Sequence, residues 1–148
     1  MVGIRGALHP GLTFKNSVTY SFQELFEYSD GGQAILSFLG EFTSNPIIVL
    51  SPGLKATSGS CYTQYFVSQA QKRGFDVVVV NHRGLYGCKL SSPKLYSVNS
   101  VIDIKEPVEQ IKKRFLGRKV FAVGCSMGAN RLACYLGEGA EVDGAVCV

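Results

Sequence analysis

Four continuous apolar runs constrain the fold of this chain more than any other feature. They cover residues 47–50 (IIVL), 75–80 (FDVVVV), 119–124 (KVFAVG) and 142–148 (VDGAVCV). Strands that are apolar on both faces are typical of parallel sheets that helices cover on both sides. We therefore predict that each run is a buried strand of one such sheet.

Segments with helical periodicity separate these runs. Helices are predicted at about 60–73, 101–115 and 127–136, where apolar residues recur mainly at steps of three and four. Pro107 should kink the second helix or mark a restart at its first turn. Strands that alternate with amphipathic helices indicate a mostly parallel sheet with right-handed crossovers.

The N-terminal part of the chain follows a different pattern. Residues 17–42 alternate in places between apolar and polar side chains, and Asp30-Gly31-Gly32 interrupts them. This pattern predicts two antiparallel strands joined by a glycine turn. The fold class is therefore α/β, with a β-hairpin that leads into the parallel sheet, in a single domain over residues 1–148.

Composition excludes several classes of protein. The chain has 148 residues, of which 46% are hydrophobic and 18% charged, as in soluble globular domains. A net charge of +4 is too small to indicate nucleic acid as a partner, no apolar run is long enough for a membrane span, and the first residues do not resemble a signal peptide. The five scattered cysteines lack metal-site spacing. We expect no cofactor or metal, and a reducing intracellular compartment, either cytoplasmic or organellar, with membrane association as an open alternative.

The motif Gly124-Cys125-Ser126-Met127-Gly128 lies between a predicted strand and a predicted helix. This context is typical of a nucleophile elbow, in which the chain reverses within one residue and holds the serine in a strained conformation. Gly124 and Gly128 would remove Cβ atoms that clash across the turn. The alternative is an ordinary serine in a tight turn or in a phosphate-binding loop.

An oxyanion hole at this elbow would require two backbone N–H groups. Met127 supplies one at the start of the helix, and the loop after the 47–50 strand supplies the other. Leu54 is the best candidate in that loop, because Gly53 can take a positive φ and turn the next amide inward. Pro52 has no N–H to donate.

Several motifs in the same order resemble the α/β hydrolases, and within them the ABHD-type esterase and lipase subgroup, which includes yeast medium-chain fatty-acid ethyl ester synthase/esterases. The resemblance covers most of the chain. It rests on HPGL (9–12), DGG (30–32), PGLKATSGSCYTQYFV (52–67), VVVVNHRGLYGCKLSSPKLY (77–96) and VGCSMGANRLACYLGEGAEVDGAV (123–146).

The resemblance implies a serine esterase or lipase that acts on lipid-type esters, with Ser126 as nucleophile and the amides of Leu54 and Met127 at the oxyanion. The chain departs from the family at Pro52, where the family has histidine. The family's catalytic acid and histidine follow strands beyond Val148. We therefore expect a partial domain with its C-terminal part missing, inactive alone, whose final strand is covered by missing chain or by a partner subunit.

Local residues offer few substitutes for the catalytic histidine. His82 follows a predicted strand that would neighbour the Ser126 strand, and it is either a base or a loop residue held by its neighbours. His9 lies in a stretch rich in proline and glycine and is interpreted as structural. Two carboxylates are given local roles: Asp103 as a helix cap with Ser100, and Glu138 as an ion-pair partner of Arg131.

Two functional alternatives remain open beside the hydrolase. The first is a catalytically degenerate hydrolase-like domain that serves as a structural subunit of a larger assembly. The second is a binding module that uses the N-terminus of the elbow helix for an anionic ligand.

Overall fold

The computed structural model describes residues 17–148, so the HPGL motif and His9 lie outside the described residues. The described chain forms one six-stranded sheet flanked by three helices. In chain order the elements are β1 (Phe22–Glu27), β2 (Gln33–Leu39), β3 (Ile47–Ser51), α1 (Cys61–Lys72), β4 (Asp76–Val80), α2 (Ile102–Arg114), β5 (Val120–Gly124), α3 (Met127–Gly137) and β6 (Gly144–Cys147).

The sheet has the order β1-β2-β4-β3-β5-β6. β1 and β2 form the predicted antiparallel hairpin, with Phe22 opposite Phe38 and a turn in which Gly31 has a φ of 76°. β2 joins β4 in antiparallel fashion, and the remaining pairs are parallel. This arrangement confirms the predicted fold class, a mostly parallel α/β sheet entered through a hairpin.

Alternation along the buried strands divides the core into two layers. In β3, Ile47 and Val49 pack with residues of α2 and α3, whereas Ile48 and Leu50 pack with residues of α1 on the other face of the sheet. Every residue of β3 and of β4 is buried. Burial on both faces explains why these segments are continuously apolar in the sequence.

Two expectations about the strands were wrong. β4 pairs with β2 and β3, so it does not neighbour β5, the strand that precedes Ser126. β3 lies between them because it pairs with both strands. β6 is not buried, since within the described residues only β5 pairs with it, and Val146 is 55% exposed.

Helix α2 continues through Pro107, which lies in its interior and does not mark a restart at its first turn. Proline has no N–H, so the carbonyl of Asp103 lacks its usual donor one turn later. The hydroxyl of Tyr28 in the hairpin donates to that carbonyl at 3.4 Å. A tertiary hydrogen bond thus takes the place of the backbone hydrogen bond that Pro107 cannot donate. Among residues 17–148, none of the helices combines the length and hydropathy of a membrane span.

Candidate active site

Ser126 occupies a sharp turn between β5 and α3. Its φ is 52° and its ψ is −114°, and its side chain is exposed. The turn is fixed from both sides, because the N–H of Cys125 donates to the carbonyl of Ser51 at 3.0 Å and the N–H of Ser126 donates to the carbonyl of Val148 at 2.6 Å. A positive φ is strained for a non-glycine residue and is often found at functional sites.

The two glycines of the motif are required by close backbone contacts. A Cβ on Gly124 would lie 2.5 Å from the carbonyl oxygen of Gly128 and 2.6 Å from the Cα of Ala129. A Cβ on Gly128 would lie 2.1 Å from the carbonyl oxygen of Ser51. Helix α3 therefore starts in direct backbone contact with the end of β3, which only glycine allows at these positions.

A cleft of about 550 Å³ opens beside Ser126. Loops that follow β3, β4 and β5 all contribute to it, at the carboxyl ends of parallel strands, where ligands bind in folds of this class. Most of its accessible lining is apolar. The lining residues are Leu54, Tyr96, Ser97, Val98, Ser126, Met127 and Asn130.

The structure brings the three predicted residues Leu54, Ser126 and Met127 to this one cleft. Neither the N–H of Leu54 nor that of Met127 has an acceptor within residues 17–148. Met127 is the first residue of α3, where helical N–H groups are unpaired and favour negative charge. The assignment of these two amides to an oxyanion hole stays a prediction.

Leu54 was chosen as an oxyanion donor because Gly53 could take a positive φ. That reason was wrong, because Gly53 is not among the glycines with positive φ. Gly53 instead lies beside the elbow, at a distance where an added Cβ would make ordinary van der Waals contact. A Cβ there would lie 3.4 Å from both the Cβ of Ser126 and the carbonyl oxygen of Cys125. The loop after β3 thus packs directly against the elbow.

Side chains hold Gly53 from both sides. Its N–H donates to the hydroxyl oxygen of Tyr62 at 2.7 Å. Its carbonyl accepts a hydrogen bond from the N–H of Ala56 at 3.0 Å and contacts His82 Nε2 at 2.8 Å. Burial raises the pKa of Tyr62, so its phenol stays protonated at neutral pH.

His82 is buried beside this loop, and its ring stacks on Tyr96 with the centroids 4.6 Å apart. Its Nδ1 lies 3.0 Å from Arg131 Nη2. A guanidinium only donates, so Nδ1 is the acceptor and the proton resides on Nε2, which donates to Gly53. Burial, and then the charge of Arg131, lower the pKa of His82 to about 4.

These contacts exclude His82 as the base for Ser126 in this arrangement, since both of its ring nitrogens are engaged with other groups. His82 therefore fits the second interpretation made from the sequence, a loop histidine held by its neighbours. Cys125, next to Ser126, packs against the core layer of α1, and burial raises the pKa of its thiol. It is therefore a weak nucleophile.

An ionic cluster lies beneath the cleft. Asp103 accepts from Arg83 Nε at 2.7 Å and from Arg131 Nη1 at 3.4 Å, and all three side chains are buried. Arg83 also pairs with Asp30 of the hairpin turn at 2.6 Å. Lys94 Nζ lies 3.2 Å from the other oxygen of Asp30, so three cations contact two carboxylates, with Lys94 at the exposed end of the cluster.

This cluster corrects two assignments. Asp103 does not cap α2 with Ser100, because α2 has Val101 at its N-cap position and no side-chain cap. Buried guanidinium groups are stronger partners for its carboxylate than the neutral N–H groups of a helix N-terminus. Glu138 does not pair with Arg131, which is buried, and lies instead 3.6 Å from Lys105.

Sequence reasoning missed Arg83, Arg131, Tyr62 and Tyr96 as parts of the site. The signal for Arg83 was its place in Asn-His-Arg-Gly directly after a buried strand, where polar side chains meet at the end of the sheet. Tyr62, Tyr96 and Arg131 gave no such signal. Residues 17–148 contain no group of three acidic, histidine or cysteine side chains placed to hold a metal ion.

Comparison with known proteins agrees with the fold. The family model described as alpha/beta hydrolase fold matches residues 46–148. The chain is 34% identical over 132 residues to Embryogenesis-associated protein EMB8 of Picea glauca, covering 82% of this chain and 29% of that protein. It is 32% identical over 139 residues to Phospholipase ABHD3 of Mus musculus, covering 88% of this chain and 34% of that protein.

Among solved structures, the Pyrococcus furiosus esterase Pf2001 superposes with a TM-score of 0.71 at 18% identity, over 87% of this chain and 50% of that one. At this identity the likeness concerns the fold alone. The chain spans about a third of the length of curated relatives such as these two. The family model covers more than half of the chain, including the turn at Ser126. The chain therefore belongs to the alpha/beta hydrolase fold family, as an ABHD-type member.

Proposed function

We propose that this chain carries the nucleophile and the oxyanion hole of a serine hydrolase that acts on carboxylic esters of lipids. One observation supports this most strongly. Ser126 is exposed at a strained turn, at a cleft that it shares with Leu54 and Met127, whose N–H groups have no acceptor among residues 17–148. Two unpaired N–H groups at the cleft of an exposed serine hydroxyl suit the tetrahedral oxyanion of acyl transfer.

In the proposed reaction, Ser126 Oγ attacks the ester carbonyl carbon, and its proton passes to a general base. The carbonyl oxygen becomes an oxyanion, which accepts hydrogen bonds from the amides of Leu54 and Met127. The intermediate collapses to an acyl-serine as the alcohol leaves with a proton returned by the base. Water then hydrolyses the acyl-enzyme by the same steps.

The base has to come from outside the described residues. His82 is the one histidine within residues 17–148, and its two nitrogens are engaged with Gly53 and Arg131. Without a base, Ser126 is a neutral alcohol of low nucleophilicity. We therefore assign activity to the protein that supplies a histidine to this cleft, in cis or in trans.

The lining of the cleft supports an apolar acyl group as the bound portion of the substrate. Leu54 and Val98 are 64% and 45% exposed, and they offer apolar surface beside Ser126. The relative Phospholipase ABHD3 is named for action on phospholipids. Exposed apolar side chains at a cleft favour alkyl chains by the hydrophobic effect.

A fluorophosphonate probe tests the proposal, because it phosphonylates only activated serines. Intact-mass spectrometry of the full-length protein should show one adduct, and Ser126→Ala should abolish it. Ser97→Ala is the matched control, since Ser97 lines the same cleft and its loss should leave labelling unchanged. A wild-type protein that stays unlabelled would instead support the degenerate structural subunit.

The exposed strand β6 forms the second part of the proposal. Val146 and Val148 are 55% and 75% exposed at one edge of the described sheet. Apolar edge strands tend to pair with further strands. We propose that further polypeptide or a partner subunit covers this edge in the working protein, in a reducing compartment, and that protection of the β6 amides from hydrogen exchange would reveal the cover.

A further inference from the structure

The peptide group that joins Gly53 to Leu54 contains both the group that His82 contacts and the amide proposed for the oxyanion hole. Residues 17–148 contain no cis peptide bond. In a trans peptide the C=O and the N–H point in opposite directions. Whatever holds the carbonyl of Gly53 therefore sets the direction of the N–H of Leu54.

The carbonyl of Gly53 is held on the side away from solvent. It accepts two hydrogen bonds, one from the backbone N–H of Ala56 at 3.0 Å and one from Nε2 of His82, a side chain that is 2% exposed, at 2.8 Å. The N–H of Leu54 points the opposite way and has no acceptor within residues 17–148, and Leu54 lines the cleft with Ser126. The N–H of Gly53 itself donates to the hydroxyl oxygen of Tyr62 at 2.7 Å, so the Gly53 N–H is not available to a substrate.

We propose that His82 is a positioning residue of the oxyanion hole. Its Nε2–H donates a hydrogen bond to the carbonyl of Gly53 and so orients the N–H of Leu54 toward the oxyanion that forms when Ser126 attacks. This role rests on the proposed serine hydrolase function. His82 touches no reacting atom and acts only through the peptide group. Donation to a peptide carbonyl also polarises the group and strengthens its N–H as a donor.

The buried charges fix the proton that this role requires. Arg131 Nη2 donates to Nδ1 of His82 at 3.0 Å, which keeps the proton on Nε2. Asp103 holds Arg131 at 3.4 Å and so orients the guanidinium toward the ring. A chain of contacts from Asp103 through Arg131 and His82 therefore ends at the Gly53 carbonyl. The same ring stacks on Tyr96, which lines the cleft.

Substitution of His82 separates positioning from packing. His82→Phe keeps a flat ring to stack on Tyr96 but removes the donor, whereas His82→Gln places an amide N–H near the position of Nε2. In the full-length protein we expect His82→Phe to lower the rate of phosphonylation of Ser126 by about 10- to 100-fold, less than or up to the loss for a removed oxyanion donor, because the N–H of Ala56 still donates to the Gly53 carbonyl. His82→Gln should recover most of that loss. For an ester substrate the loss should fall on kcat with KM little changed.

Ser58→Ala provides the control for stability. Ser58 is as buried as His82 and hydrogen-bonds Asn81 and Ser37, but it does not touch Gly53. It should lower stability without slowing phosphonylation. Equal rates in the wild type and His82→Phe would overturn the positioning role alone, and equal loss in Ser58→Ala would reduce it to a general effect of packing. An unreactive wild type would overturn the proposed function and, with it, this role.

A second measurement needs no catalytic activity. Nitrogen-15 spectra of the His82 ring should show the proton on Nε2 and a bare Nδ1 throughout pH 5.5–8. His82→Phe should shift the backbone amide of Leu54 more than that of Met127, because only the former shares a peptide group with the Gly53 carbonyl. A ring protonated at Nδ1, or an unmoved Leu54 amide, would contradict the proposal even where labelling agrees with it.

Discussion

Gly128→Ala should damage both stability and the site, because α3 begins against backbone that cannot move freely. The added Cβ would lie 2.1 Å from the carbonyl oxygen of Ser51 and 2.7 Å from that of Pro52. Ordinary contact requires roughly 1 Å more, which must come from separating α3 from the end of β3. Overpacking of this kind costs about 1–3 kcal/mol, and we expect the upper end because the obstructing atoms are backbone.

The same displacement should reach the cleft. Ser126 and Met127 immediately precede Gly128, while Leu54 follows Pro52 in the opposing loop. Separating the two loops by roughly 1 Å widens the gap between the two proposed oxyanion donors, and such misplacement can reduce rates by about 100-fold. We therefore expect loss of phosphonylation even at temperatures where the variant remains folded.

Gly137→Ala is the matched control. Gly137 ends the same helix, and a Cβ there would meet nothing within 4 Å. Urea denaturation should give this variant an unfolding free energy unchanged or raised by up to about 1 kcal/mol. The steric reasoning would be refuted if Gly128→Ala and Gly137→Ala unfolded within about 0.5 kcal/mol of each other, which lies within ordinary surface effects.

Three further outcomes follow from the titratable groups of the ionic cluster and from His82 beside it. Asp103→Asn should lower the unfolding free energy by about 3–5 kcal/mol in urea, because buried Arg131 would lose its carboxylate partner and Arg83 would keep only Asp30; a loss below 1 kcal/mol would contradict this. His82 has a pKa of about 4, below its ordinary 6.5, so the folded state binds fewer protons and stability should fall by about 3 kcal/mol as the pH drops from 6.5 to 4; His82→Phe should flatten this slope. The pKa of Asp30 is lowered to about 2, first by Arg83, so its contribution is present above pH 4 and lost toward pH 2, and an unchanged acid transition in Asp30→Asn would count against it.

The sequence predicted the elements well because they depend on local patterns. Apolar runs located β3, β4 and β5 to within a residue or so, since strands buried on both faces need continuous apolar side chains. The turn at Ser126 was equally visible, because glycines flank it at the spacing that backbone contact requires. The order of strands was harder, since it depends on which surfaces pack after distant segments meet.

The environment of the site depends on such distant contacts. Asp103 has the local pattern of a helix cap with Ser100, but the buried guanidinium groups of Arg83 and Arg131 determine its role. Gly53 matched a turn with positive φ, whereas its φ is not positive and its backbone is held by Tyr62 and His82. No pattern within a single segment reveals partners that lie 20 and 28 residues away in the chain, as Arg83 and Arg131 lie from Asp103.

The ionic cluster makes the cleft depend on several segments at once. Asp30 lies in the hairpin turn, Arg83 after β4, Asp103 in α2 and Arg131 in α3, and His82 connects them to the loop after β3. A partly assembled chain lacks some of these contacts and so cannot align the Leu54 amide. For the proposed hydrolase, ester turnover should therefore return only with the last docking event, which would make regained turnover a reporter of complete assembly during refolding.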